Sequence, residues 1–264
     1  MVALGVAPSR AGPAAPGGTG FFGMSQLEWA TALSVARVSS GGPNWSALNG
    51  ELLLRSSPAA ESSETMRPRV VSLTAQRAER FGQQDGQLGA ATAFPIHRHG
   101  TVEVELSGSP SNRFLPIWTA DVGLSQVLGG GWVATGRLRH REYRESIVEG
   151  AALSLEKYAG IFRTQYELSS SEVRGAGATT AHHLAADCYY GLDPRDRVRL
   201  SFAFGMEAEG VATSGVVTTS VRDGSLLWQQ RLPGRWTIES GVSWSDHRSL
   251  YTRTEILIGL RCSL

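Results

Sequence analysis

From Arg235 to Leu264 apolar and polar residues alternate one by one. In the final stretch Thr254, Ile256, Ile258, Leu260, Cys262 and Leu264 share one face, while Arg253, Glu255 and Arg261 share the other. A period of two is the signature of a β-strand. The preceding stretch repeats it, with Trp236, Ile238, Val242 and Trp244 opposed to Thr237, Glu239, Gly241 and Ser243, and a break expected at Asp246-His247-Arg248-Ser249. A soluble sandwich also alternates, but an outward row bounded by tryptophan at both ends belongs to a transmembrane barrel. There the indole rings settle at the two membrane interfaces.

The same pattern predicts strands along most of the chain. Leu27, Trp29, Thr31, Leu33 and Val35 alternate, and the stretch Trp45 to Arg55 has Leu48, Leu52 and Leu54 in phase. Further outward rows are Val71, Leu73 and Ala75; Leu88, Ala90, Thr92 and Phe94; Val102, Val104 and Leu106; and Trp118, Ala120, Val122 and Leu124. Downstream come Trp132 to Leu138, Ala151 to Leu155, Phe162 to Leu168, Leu184 to Tyr190 and Val198 to Met206. Gln84-Asp85-Gly86 reads as a turn, and Asp223-Gly224 as a hairpin turn or a bulge inside the stretch that holds Trp228.

The connections fall into two classes. Pro95 to His99, Gly129-Gly130-Gly131, Ala159-Gly160, Asp193-Pro194-Arg195 and Pro233-Gly234 are short; Ser107 to Arg113, Ser169 to Thr180 and Gly210 to Gly215 are longer or more polar. Short turns on one side and long loops on the other are the periplasmic and extracellular sides of an outer-membrane barrel. Ser56 to Pro68 is long where this order requires a short turn. The expected fold is therefore all-β: a single transmembrane antiparallel up-and-down β-barrel of about 14 strands, or 12 if the first hairpin is irregular. It would occupy residues 25–264, behind a flexible Ala/Gly/Pro-rich segment over 1–24. Val2 to Ala7 is too short for the apolar core of a secretory signal and precedes the first basic residue, Arg10, so an export signal is expected outside this sequence.

Composition agrees. Charged residues make up 19% and the mean hydropathy is −0.13, values of a soluble chain, and no apolar run nears the roughly 18 residues of a spanning helix. A barrel strand needs only about 10 alternating residues, so dilution by inward polar positions is what a membrane barrel requires. A formal charge of +1 argues against nucleic acid as a partner. Cys188 and Cys262 fall on outward faces of non-adjacent strands and read as small apolar fillers.

The inward rows carry the candidate chemistry. Glu103, Glu105, Asp121, Arg137, Arg139, Arg141, Glu156, Arg163, Arg199, Glu207, Glu239, Arg253 and Glu255 are the expected lumen-lining residues. Trp29, Trp118, Trp132, Trp228, Trp236 and Trp244 are the expected membrane-interface aromatics. A two-residue turn at Ala159-Gly160 would set Glu156 opposite Arg163, Leu155 opposite Thr164 and Leu153 opposite Tyr166; a glycine turn at 129–131 would set Asp121 opposite Arg139 and Val122 beside Leu138. Opposite charges facing each other suit a lumen that neutralises itself. The same rows could form the wet face of a soluble barrel, but the outward tryptophans count against that.

His182, His183 and Asp187 lie close in sequence, yet His182 points away from the other two. No serine has the setting of a nucleophile elbow, so polar wall residues are the better reading. His97 and His99 flank a turn with no third ligand in reach. Gly129-Gly130-Gly131 has no following helix to hold phosphate. No catalytic residue, metal or cofactor is expected.

Arg80-Phe81 with Asp85-Gly86, Ser109-Pro110 with Phe114-Leu115-Pro116, Gly131-Trp132, Arg137, Tyr143, Glu156-Lys157-Tyr158, Tyr189-Tyr190, Tyr251-Thr252-Arg253 and Gly259-Leu260-Arg261 follow one another in an order that resembles the YaiO family of outer-membrane β-barrels. The likeness covers roughly Trp45 to Leu264. It implies a bacterial outer-membrane location, outer-membrane lipid as surroundings, insertion by the barrel assembly machinery through the C-terminal strand, and a link to polysaccharide export proteins. Leu264 stands where the family pattern has an aromatic residue, which bears on the efficiency of insertion.

Three functions compete at this level. The first is a non-enzymatic barrel that passes, or assists export of, a polar molecule, with saccharides among the candidates. The second is a structural or surface-interaction barrel with a closed lumen and partner-binding loops at Ser107 to Arg113 and Ser169 to Thr180. The third is a barrel enzyme acting on lipid or glycan.

Overall fold

One face of every alternating segment is apolar, and in a closed antiparallel sheet those faces merge into a single outer band while each strand satisfies its neighbours' backbone groups. The structure, a computed structural model, describes residues 24–39, 44–56, 69–174, 177–191, 193–211, 215–248 and 250–264. The expected flexible segment lies outside the described residues up to position 23, as does the connection 57–68; Met24 already belongs to the first strand.

The described residues form fourteen strands: β1 (Met24–Val38), β2 (Trp45–Ser56), β3 (Val70–Arg80), β4 (Gln83–His97), β5 (Gly100–Gly108), β6 (Trp118–Gly129), β7 (Trp132–Glu142), β8 (Ile147–Ala159), β9 (Phe162–Val173), β10 (Gly177–Tyr189), β11 (Arg197–Val211), β12 (Gly215–Arg231), β13 (Trp236–His247) and β14 (Tyr251–Ser263). Each pairs with the next, and β1 pairs with β14 to close the barrel. At the seam Trp29 faces Cys262 and Leu33 faces Ile258. Fourteen strands about 4.8 Å apart and tilted by about 40° enclose a radius of roughly 14 Å, enough to leave space between inward side chains.

Leu138, Leu153, Ile256 and Ile258 are each at least 60% exposed on the outer face, where a membrane barrel meets lipid. Trp29, Trp132, Trp228 and Trp236 lie toward the end where β1 begins and β14 finishes, here called the near end; Trp118 and Trp244 lie toward the far end. Cys188 and Cys262 are free thiols on the outer face, and Trp29 and Trp236 both pair across from Cys262 and leave it buried.

Several expected boundaries move. The β8–β9 turn is Gly160-Ile161, because a tight hairpin with one left-handed residue places glycine first, and Gly160 has φ +59°. Glu156 therefore faces Gln165, Tyr158 faces Arg163, Leu155 faces Tyr166 and Leu153 faces Leu168. Asp121 does face Arg139, and Val122 faces Leu138. Asp85 lies inside β4 after a turn at Phe81-Gly82. Asp223-Gly224 is neither turn nor bulge: β12 runs straight through, and Phe202 faces Gly224.

Within the expected long loop Ser169 to Thr180, the described residues up to Val173 and from Gly177 are strand, with Ser171 paired to Thr179 and Val173 to Gly177. Of the expected connection Gly210 to Gly215, Gly210, Val211 and Gly215 belong to a ribbon, in which β11 and β12 pair as far as Val211 and Gly215, and 212–214 lie outside the described residues. Beyond Gly205 this ribbon has left both neighbours, since β10 last pairs at Ala181 opposite Gly205 and β13 first pairs at Val221. Gly205 has φ +142°, and a Cβ there would lie 2.4 Å from the Thr180 carbonyl oxygen. The bend carries Ala208 and Val216 over the far mouth onto Val148, Val173 and Tyr143.

Candidate functional site

Three groups of inward side chains occupy the lumen. The first spans β5, β6 and β7. Arg137 Nη2 donates to Glu103 Oε2 at 3.0 Å, Arg137 Nε lies 3.3 Å from Asp121 Oδ1, and Arg139 Nε donates to Asp121 Oδ2 at 2.6 Å. Arg137 and Arg139 keep 36% and 39% of their side chains exposed although they point inward, and Glu105 beside them is exposed as well. Around this group the wall is short, because Gly89, Ala91, Gly123, Gly150 and Ala152 stand among the inward residues of β4, β6 and β8.

The second is a belt of charges toward the near end. Arg163 donates from Nε to Glu156 Oε2 at 3.0 Å, from Nη1 to Asp187 Oδ2 at 2.7 Å and from Nη2 to Gln165 Oε1 at 3.1 Å. Tyr158 also donates to Glu156 at 2.9 Å. Arg197 continues the belt, 3.8 Å from Asp187 and donating to Gln229 at 3.1 Å; Gln229 in turn faces Glu239 on β13. Across the seam Arg261 reaches Glu28 at 3.3 Å and Glu51 at 3.0 Å. From the β10–β11 connection Arg195 donates to Ser263 Oγ at 2.9 Å, which brings that connection over to the seam. Arg195 is held by Asp193 at 2.9 Å, and Arg231 holds the other Asp193 oxygen at 2.5 Å. The Arg195 guanidinium first, then its backbone N–H and Arg231, hold the Asp193 carboxyl well below the usual carboxylate range.

The third group closes over the far mouth. The β5–β6 loop, residues 109–117, turns inward. Asp85 Oδ2 accepts the backbone N–H groups of Arg113, Phe114 and Leu115 at 2.8, 2.9 and 2.8 Å, and Oδ1 accepts the Ser109 hydroxyl at 3.2 Å. Phe114 and Leu115 are buried against Ala78, and Arg80 lies 5.2 Å from the Trp45 ring and 5.3 Å from the Phe114 ring. Trp45 packs edge-on against Phe81 and Tyr251, and Arg253, 3.6 Å from Glu255, approaches the Trp45 ring at 5.8 Å. The Ser245 hydroxyl donates to Asp223 and meets His247 Nε2 at 2.8 Å, and the His247 ring stacks on Tyr251.

The structure thus brings Glu103, Asp121, Arg137 and Arg139 into one group, and Glu156 and Arg163 into another. Arg141 stands above the first group on β7; Arg199 donates to Gln165 at 3.3 Å; Glu207 lies on the β11–β12 ribbon. Sequence reasoning missed Glu28, Glu51 and Arg55, whose inward alternation was readable, and Arg195, Asp85 and Trp45, whose positions depend on contacts across the mouth. His183 and Asp187 share the inward face, but Asp187 is committed to Arg163, while His182 faces outward between Tyr166 and Phe204. Among the described residues no three His, Cys, Asp or Glu residues come together to hold a metal ion.

The family described as the YaiO membrane beta barrel domain matches residues 57–210, more than half of the sequence. The chain belongs to this YaiO family. Most of the residues that carried the resemblance near Arg80, Asp85, Ser109, Phe114 and Tyr251 turn out to be those that meet in the far mouth. Among solved structures this YaiO barrel is similar to an anion-selective porin from Comamonas acidovorans, at 8% identity and a TM-score of 0.52, covering 91% of this chain and 99% of that one. It is also similar to a bacterial polysaccharide outer membrane secretin (9% identity, TM-score 0.51, 90% and 97% covered) and to Salmonella typhi OmpF in complex with daunomycin (7% identity, TM-score 0.51, 92% and 98% covered). These likenesses establish the fold. No curated protein matches the sequence. The chain is an outer-membrane, porin-like β-barrel.

Proposed function

We propose that this barrel passes, or assists the export of, a polar solute of the saccharide class through the bacterial outer membrane without catalysing a reaction on it. The observation that carries this is the wetted inner wall of β5 to β7, where Arg137 and Arg139 face inward and remain 36% and 39% exposed. Exposure of this order leaves room for water beside both guanidinium groups, which supports an open lumen. Arg137 and Arg139 are each matched by a carboxylate, so the wall offers donors and acceptors side by side, and a sugar's hydroxyl groups use both. In this reading the remaining inward charges, from Arg199 and Glu207 to Glu239, Arg253 and Glu255, line the same passage, and the six outward tryptophans rest at the two interfaces. One structural neighbour is by its name a polysaccharide secretin, which is consistent with this class of cargo but is said of that protein. The barrel assembly machinery and polysaccharide export proteins are the partners this reading entails.

A second reading, a barrel with a closed lumen that works through its surface loops, is favoured by the belt at the near end. There the side chains of Arg163, Asp187, Glu28 and Arg261 are 10% exposed or less. Single-channel recording of the detergent-folded protein in a planar bilayer separates the two. Discrete steps of weak ion selectivity, reduced reversibly by an added neutral oligosaccharide, are expected; their absence across the voltage range would transfer the case to the closed barrel.

A further inference from the structure

Two neighbouring antiparallel strands can be joined by two residues, yet β5 and β6 are joined by nine, 109–117. The surplus does not project away from the barrel. It folds back inside the far mouth, past β4, to bury Phe114 and Leu115 against Ala78 of β3, with Ala47 of β2 packed on the same cluster. From the opposite side Arg144, in the β7–β8 turn, donates to Asn112 Oδ1 at 2.5 Å. What holds the loop is concentrated on one side chain. Asp85 points inward from β4, is 2% exposed, and takes three consecutive backbone N–H groups on one oxygen and the Ser109 hydroxyl on the other.

We infer that this loop is the constriction that sets the size of solute admitted at the far mouth, and that Asp85 is the positioning residue that latches it there. The inference rests on the passage reading above. Its physical basis is the fate of the loop's own donors. Buried N–H groups need an acceptor, and charge-assisted bonds to a carboxylate are the strong kind. Without the carboxylate, the donors of Arg113, Phe114 and Leu115 find acceptors only in water, so the loop must leave the wall to satisfy them. Removing the Asp85 carboxylate therefore exchanges an inward loop for an outward one and widens the mouth.

The test compares the wild type, Asp85→Ala, and a variant in which residues 110–115 are replaced by two glycines, which keeps Asp85 but removes the obstruction. Amide exchange in detergent micelles reads the latch, bilayer conductance and liposome uptake of a disaccharide against a hexasaccharide read the constriction, and heat stability checks that each barrel is folded. In Asp85→Ala the amides of 113–115 should exchange at least about ten-fold faster while the strand amides stay protected. Conductance should rise by about two-fold in both variants, and the larger sugar should enter relative to the smaller, a change that a purely structural role for Asp85 would not produce. Protected loop amides in Asp85→Ala overturn the latch. Freed amides with unchanged conductance and size selection overturn the constriction. If Asp85→Ala fails to fold, the shortened loop alone decides, and unchanged conductance overturns the inference. If neither wild type nor shortened protein conducts, the passage reading falls and the constriction with it, whatever the amides show.

Discussion

Arg163 spends all three of its guanidinium nitrogens inside the barrel, on Glu156, Asp187 and Gln165. With side-chain exposures of 8% for Arg163 and 1% for Asp187, this is a nearly dry ion pair, where loss of one partner matters more than the worth of the pair itself. Arg163→Gln should therefore cost about 3–5 kcal/mol in denaturant unfolding of the detergent-folded protein. Glu156→Gln should cost less, about 1–2 kcal/mol, because Arg163 keeps Asp187. The double mutant should reveal a coupling of about 1 kcal/mol or more. An Arg163→Gln protein within about 0.5 kcal/mol of the wild type would show the belt to be wet. The Glu156–Arg163 contact was legible in sequence although the register was not. A slip of two residues keeps both side chains on the same face, and two long side chains reach across the diagonal. Asp85 was not legible: beside Gly86 its residue type reads as a turn, and its actual partners lie 24 to 30 positions away.

Among the elements, the β11–β12 ribbon shows where alternation loses its force. Beyond the lipid band an outward residue has no reason to be apolar, so the polar ends of β9 to β12 look like loops in sequence while their backbones still pair. The bend in the ribbon depends on Gly205, whose φ of +142° and contact with the backbone of Thr180 and Ala181 exclude a side chain. Gly205→Ala should lower stability by about 1–3 kcal/mol and loosen Ala208 from Val148 and Val173. Gly136→Ala, where an added Cβ meets nothing within 4 Å, should stay within about 0.5 kcal/mol of the wild type. Equal effects of the two substitutions in the same unfolding assay would remove Gly205 as the cause of the bend.

For the molecule as a whole the outer band decides where the chain resides. Leu153, in the middle of β8 and 63% exposed, should face the acyl chains. Leu153→Arg should destabilise the bilayer-folded barrel by about 2–4 kcal/mol, the depth-dependent cost of a cation at mid-membrane. A soluble barrel would tolerate it within about 0.5 kcal/mol and would remain a monomer in buffer without detergent, either of which would defeat the membrane assignment. The sequence by itself determined the strands, their faces, the closed even-numbered sheet and the outer band, because a two-residue period is a local property of extended backbone and needs only neighbouring positions to be read. The tertiary structure alone decided which side chains meet inside the lumen. Arg261 meets Glu28 across 233 positions, Arg195 reaches the last strand from the β10–β11 connection, and the β5–β6 loop finds Asp85, all because closure of the sheet puts strands that are remote in sequence around one shared interior. Contacts of that kind depend on curvature, register and loop direction, none of which leaves a period in the chain.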